Sequence, residues 1–343
     1  MLKMAFIGCG KSTLRYHMPY VKQRKSIQIK SIFTRNWTEE KKAAAGLPES
    51  AYVESLDAIL QDDEISLISI CTPPSSHYEL AKLCLENGKN VLVEKPFCET
   101  AEEAEEILKL AKEKKLVAMP YQNRRFDSEF LTLFQVLESG KLGEIIEVEL
   151  HFDRYRPVDE RPAGSNTDGE FYGLGVHLLD KALALFGMPQ RVFYDIKTLR
   201  KPGNPDDAFE MQLFYNTKKV ILKVNQLICG DYPSVRIHGN TGSFIKYGMD
   251  QQEACLKAGV MPGEVHFGED PEEAFGVLRH ATGDEITETV VPTVTGDYGA
   301  VYDHMYQSIT HGHPKLIPDE EIIGNISILY KGVSGDSPHL VTL

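Results

Sequence analysis

Paired cysteines and long apolar runs are both missing from this chain of 343 residues. Its six cysteines, at positions 9, 71, 84, 98, 229 and 255, are scattered and form no C-x-x-C pair. That spacing excludes a zinc ribbon or a disulfide frame and fits reduced thiols. No stretch of about 18 apolar residues occurs, and no apolar run near the start leads into a cleavage pattern. A membrane partner is therefore not expected, and the expected location is cytoplasmic. Basic residues are also in short supply: 37 Lys and Arg stand against 50 Asp and Glu, a formal charge of −13. Repulsion from phosphates opposes general nucleic-acid binding at that charge but allows a local basic pocket for one phosphate. Internal repeats and low-complexity tracts are absent.

What is present is alternation. The length suggests two domains. Over residues 1–120, short apolar runs at 3–8, 27–33, 65–71, 90–96 and 116–120 alternate with helical stretches. Among the helices, "TAEEAEEILKLAKEKK" opens with a Thr100 cap and a Glu103 capping box. The segment after Ser12 reads as a helix distorted near Pro19, which lacks a backbone donor. This β-α order predicts an α/β fold with a doubly wound parallel Rossmann sheet. From 121 to 343 the pattern changes to longer alternating strands with few helices, near 127–138, 174–186 and 320–332. In "EIIEVELHFDRYR", Ile146, Val148, Leu150 and Phe152 share one face. This half predicts an α+β domain on a mostly antiparallel sheet, serving substrate binding and oligomerisation.

The stretch "AFIGCGKST" admits two phosphate-loop readings. A relaxed P-loop would end the strand at Met4 and push Phe6 and Ile7 into a solvent-facing loop. It would also need a magnesium-binding carboxylate on a neighbouring strand, where "ISLISIC" runs into Thr72 and Pro73 instead. The dinucleotide fingerprint keeps Phe6 and Ile7 in the core and turns at Gly8. Gly10 then lets the backbone approach a pyrophosphate at a helix N-terminus. The second reading is preferred, although Thr13 replaces the third glycine. A further absence bears on the cofactor. The second strand ends "IFTRN", with Thr34 where NAD sites carry a carboxylate and Arg35 next to it. A hydroxyl and a guanidinium suit a 2′-phosphate, so NADP is favoured over NAD.

Five motifs in order, "GCGKST", "CTPPSSHYELA", "NVLVEKP", "YQNRRFD" and "FYGLGVHLLD", resemble the Gfo/Idh/MocA family of sugar and cyclitol dehydrogenases along nearly the whole chain. The likeness is strongest to an uncharacterised bacterial subgroup. The resemblance implies a Rossmann domain followed by a large-sheet domain whose open face makes a homodimer or higher oligomer. It places Gly8, Gly10, Lys11, Ser12 and Thr13 at the pyrophosphate. Thr72, Pro73, Pro74 and His77 would line the adenosine-to-nicotinamide side, and Glu94 the nicotinamide end. It makes Lys95 the reactive-site lysine, with the bond to Pro96 often cis. Asn123 belongs to the cofactor side, and Arg124 and Tyr172 are substrate candidates; Arg154 joins them from the residues alone, on the strand face it shares with Phe152. His177 matches the catalytic histidine and Asp180 the carboxylate three residues on. The family commonly reads D-x-G-x-H where this chain reads Gly173-Leu174-Gly175-Val176-His177.

These residues fit hydride transfer. An alcohol must lose its hydroxyl proton as its hydride leaves, and an imidazole titrating near neutrality suits that task. Lys95, at the carboxyl edge of a parallel sheet, is placed to hydrogen-bond the reacting oxygen. The expected function is an NAD(P)-dependent dehydrogenase or reductase of a polyol, cyclitol or sugar-derived carbonyl. Gly173 keeps open a dinucleotide-binding regulator without catalysis. "THGHP" offers two histidines and no third ligand, so no metal is expected.

Overall fold

A computed structural model describes residues 1–165 and 167–343, in two compact units. Unit 1 comprises Met1–Asn123, Leu256–Phe267 and Asp297–Ile326; unit 2 comprises Arg124–Cys255, Gly268–Gly296 and Ser327–Leu343. A single cut after residue 120 therefore does not describe the chain. Two later segments return to unit 1, where Tyr298, Val301, Tyr302 and Met305 are buried.

In unit 1, β1 (Leu2–Ile7), β2 (Ile27–Phe33), β3 (Tyr52–Val53), β4 (Ile65–Ile70), β5 (Asn90–Val93) and β6 (Ala118–Pro120) form one sheet in the order β3-β2-β1-β4-β5-β6. Every neighbouring pair is parallel. Leu67, Ile68, Ile70 and Val91 through Val93 are inaccessible, as expected of strands covered on both faces. Helix Ala101–Glu113 forms because Thr100 and Glu103 complete the capping box and Ala104, Ile107, Leu108 and Ala111 bury one stripe. Helix His77–Glu86 packs between it and β5. The distortion expected at Pro19 occurs earlier. Residues Thr13–His17 form a π turn, and Pro19 sits in the first turn of the short helix Met18–Val21, where its missing N–H costs nothing.

Unit 2 is built on nine strands: β7 (Ile145–His151), β8 (Arg191–Lys197), β9 (Ala208–Phe214), β10 (Lys219–Asn225), β11 (Pro233–Gly239), β12 (Gly242–Tyr247), β13 (Gly276–Thr282), β14 (Glu285–Val291) and β15 (His339–Thr342). Their order is β14-β13-β12-β11-β7-β10-β9-β8-β15. Only β7 and β10 pair in parallel. Val148, Leu150 and Phe152 face the core as their alternation requires, while Ile146 stays exposed. Helix Gly175–Phe186 buries Val176, Leu179, Ala182 and Leu183 and packs on β10.

Candidate active site

In unit 1 a cavity of about 620 Å³ opens at the carboxyl ends of β1, β2 and β4, the edge where ligands bind in such sheets. Gly8, Gly10, Thr34, Arg35, Thr72 and Pro73, all named from the sequence as cofactor candidates, line it. Gly8 has φ +105°, and a Cβ there would lie 2.2 Å from the Cys71 carbonyl oxygen, so only glycine fits the turn. A Cβ on Gly10 would meet nothing within 4 Å, which leaves open backbone for a pyrophosphate. Lys41 also lines the cavity, close enough to Cys9 for its charge to act on that thiol, which burial pushes up. No Asp or Glu is among the lining residues. The volume and the open loop backbone fit a dinucleotide.

Several expected contacts support the loop instead. Thr13 is fully buried and its hydroxyl donates to the Gly8 carbonyl at 2.9 Å, tying the turn where a third glycine would stand. His77 is fully buried, with ring nitrogens 2.8 Å from the Pro96 carbonyl and 2.9 Å from that of Thr72. Both nitrogens are committed to backbone, so His77 clasps the ends of β4 and β5 and does not line the cavity. Lys11 and Pro74 are exposed beside it, and Asn123 is half-buried at the end of unit 1.

Glu94 follows β5 and is engaged from several sides. Its Oε1 accepts from the Ser12 hydroxyl and from His17 Nε2, the latter at 2.9 Å. Its Oε2 accepts the Lys95 backbone N–H at 3.0 Å. Burial alone would raise this carboxyl; the bonds from His17 and Ser12 and the Lys95 charge outweigh it and hold it down at about 2. The Lys95–Pro96 bond is cis.

In unit 2, His177 is the third residue of helix Gly175–Phe186 and is 5% exposed. Asp180, expected beside the histidine, is engaged by Arg125. Its two oxygens accept Arg125 Nε and Nη2, each at 2.8 Å, in a buried bidentate pair. Next to it, Lys181 is buried between Asp127 at 2.7 Å and Glu129 at 2.9 Å. Burial would lower this ammonium, and the two carboxylates more than offset that. Arg124 reaches Asp127 and Glu253, and Arg154 is half-buried. Tyr172 is buried on the short helix Glu170–Gly173. Gly173 closes that helix, and a Cβ there would meet nothing within 4 Å, so space does not demand glycine.

Among the described residues, no group of three or more His, Cys, Asp and Glu is placed to hold a metal ion, and no helix is long and apolar enough to cross a membrane. Sequence reasoning missed His17, Lys41, Arg125 and Tyr302. His17 lies in a π turn, Thr13–His17, where the sequence read as an α-helix, and its local spacing carries no signal for that turn.

A family model described as "Oxidoreductase family, NAD-binding Rossmann fold" matches residues 2–122, and one described as "Oxidoreductase family, C-terminal alpha/beta domain" matches residues 135–332. The chain belongs to the Gfo/Idh/MocA oxidoreductase family. It is an NAD(P)-binding oxidoreductase by that membership. The uncharacterised oxidoreductase YhhX of Escherichia coli is 51% identical over 100% of this chain and 99% of its own length. The scyllo-inositol 2-dehydrogenase (NADP(+)) IolW of Bacillus subtilis is 34% identical over 96% of this chain and 92% of its own. A crystal structure of an oxidoreductase from Bacillus cereus superposes with a TM-score of 0.97 at 46% identity, covering 100% of this chain and 99% of that one.

Proposed function

We propose that the protein is an NADP-dependent dehydrogenase or reductase that interconverts the CH–OH group of a polyol, cyclitol or sugar-derived alcohol and the corresponding carbonyl. The observation that carries the cofactor choice is the cavity beyond β2. It offers Arg35, Lys41 and the Thr34 hydroxyl and no lining carboxylate. A carboxylate there would repel a 2′-phosphate; two cations attract it. The name of the Bacillus subtilis relative, which specifies NADP(+), supports the same reading.

When bound, the nicotinamide accepts or donates the hydride. The chain's own residues handle the oxygen and its proton. In the oxidative direction, His177 takes the hydroxyl proton as the C–H bond breaks and the C=O bond forms; in reduction it returns it. Lys95 donates a hydrogen bond to the same oxygen and stabilises the charge that develops on it. Arg124, Arg154 and Tyr172 orient the substrate. Asp180 contributes indirectly, by fixing Arg125.

Assembly as a homodimer or higher oligomer in the cytoplasm, with a small-molecule substrate and no nucleic-acid or membrane partner, belongs to the same proposal. Light scattering after size exclusion reads the oligomer. The function is tested by titrating NADPH and NADH, then following nicotinamide absorbance across a panel of cyclitols, polyols and sugar-derived ketones. Turnover with NADP(H) supports the proposal. Tight NADPH binding with no turnover on any member of the panel favours a dinucleotide-binding regulator.

A further inference from the structure

Behind Lys95, unit 1 contains a buried polar chain that the proposed reaction does not use. Glu94 is at its centre. His17 Nε2 donates to the Glu94 carboxylate at 2.9 Å, and Nδ1 lies 2.6 Å from the Tyr302 hydroxyl oxygen. The Tyr302 oxygen is in turn 3.1 Å from the Ser69 hydroxyl, which completes the chain. His17 is 1% exposed, and Tyr302 and Ser69 are inaccessible. The His17 ring stacks on Tyr121 with centroids 3.9 Å apart and meets Phe6 edge-on. The π turn Thr13–His17 delivers the ring to this place, and such turns recur at functional sites.

Two simpler accounts fit poorly. A proton conduit needs an exit, and this chain ends at an inaccessible serine. Plain packing needs no buried imidazole against a largely covered carboxylate, because apolar residues of similar size fill such space without desolvating a charge. What the chain does is join two places. Ser12, in the dinucleotide loop, holds one Glu94 oxygen, and the Lys95 backbone N–H is held by the other.

We propose that His17 is a positioning residue: with Ser12 and Tyr302 it pins Glu94, and Glu94 pins the Lys95 backbone, so that the dinucleotide loop and Lys95 keep a fixed relation during turnover. This rests on the reading of Lys95 as the residue that meets the reacting oxygen.

The test uses His17→Leu, His17→Gln and Tyr302→Phe in the full-length chain, each checked for folding by its melting curve. The first readout is exchange of the Lys95 backbone amide by NMR, which needs no substrate. It is expected to speed up by about tenfold in His17→Leu, with Leu92 in β5 unchanged. The second readout is kinetic. His17→Leu is expected to lower kcat by about tenfold with NADPH affinity and KM within about threefold. His17→Gln, whose amide N–H can replace Nε2–H, recovers most of that loss. Tyr302→Phe, which deletes one hydroxyl, shows a smaller loss of kcat. Unchanged amide exchange in a folded variant overturns the pinning, whether or not the protein proves to be an enzyme. Unchanged kcat in a catalytically active protein overturns the positioning role alone. If His17→Leu does not fold, Tyr302→Phe decides by the same two readouts. An inactive wild type with the expected exchange result counts against the proposed function and not against the pinning.

Discussion

Replacing Asp180 by asparagine keeps the side chain's size and removes one charge from a buried pair. Arg125 and Asp180 are 8% and 4% exposed at their side chains and meet through two bonds of 2.8 Å. The amide retains one acceptor and turns an N–H₂ toward a guanidinium N–H, while the counter-charge supplied by Asp180 is gone. Breaking a buried pair from one side costs about 3–5 kcal/mol. With one acceptor left, the lower end applies, about 3 kcal/mol. For a domain of 150–250 residues each kcal/mol moves the midpoint by roughly 2–4 °C, so Asp180→Asn is expected to melt roughly 6–12 °C lower. Calorimetry of the full-length chain reads this directly. A midpoint within about 2 °C of the wild type would refute the assignment of Asp180 to Arg125 as a stabilising pair. If that unshifted variant also lost turnover, the orienting role on His177 inferred from the family resemblance would return as the better account.

Arg35→Ala is expected to weaken NADPH by about tenfold or more and NADH by no more than about twofold, with the gap closing as salt is added; equal losses in fluorescence titrations would remove the 2′-phosphate assignment. Gly8→Ala forces a Cβ to 2.2 Å from the Cys71 carbonyl at φ +105°, and is expected to abolish measurable NADPH binding. Asp206 is pushed up to about 7, chiefly by burial and only partly offset by the bond it accepts from the Phe171 N–H. Its folded-state value lies above its unfolded one, so its stabilising contribution is present below pH about 4 and lost as pH rises through about 7. Asp206→Asn should therefore raise the melting temperature more at pH 8 than at pH 5, and an equal gain at both would contradict the shift.

The parts of this fold that could be read from the letters are those specified locally. Alternating "IQIKSIF", the continuous run "ISLISI" and the Thr100–Glu103 box each encode one element within a few residues, and the elements are there. The turn at Gly8 was legible for the same reason. What escaped is set by distance along the chain. His17 finds Tyr302 across 285 positions, and Asp180 finds Arg125 across 55. The i+3 spacing of Asp180 from His177 suggested a partnership because helical neighbours are the only ones a sequence displays. The return of residues 297–326 to unit 1 was hidden likewise. Helix Ala300–His311 mixes polar, aromatic and β-branched residues, and its buried face of Val301, Tyr302, Met305 and Ser308 becomes clear only against its neighbours. Strand β3 is too short at two residues to announce itself.

The claim on which the account turns is that Lys95 and His177 perform the chemistry while other residues hold the cofactor. The direct measurement is steady-state turnover of Lys95→Ala and His177→Ala on whichever substrate the panel yields, alongside NADPH affinity for each. The account predicts that each variant loses about 10²-fold or more in kcat, the usual scale for a positioned acid, base or charge donor, with NADPH affinity nearly intact. Turnover within a few-fold of the wild type in both variants would contradict it.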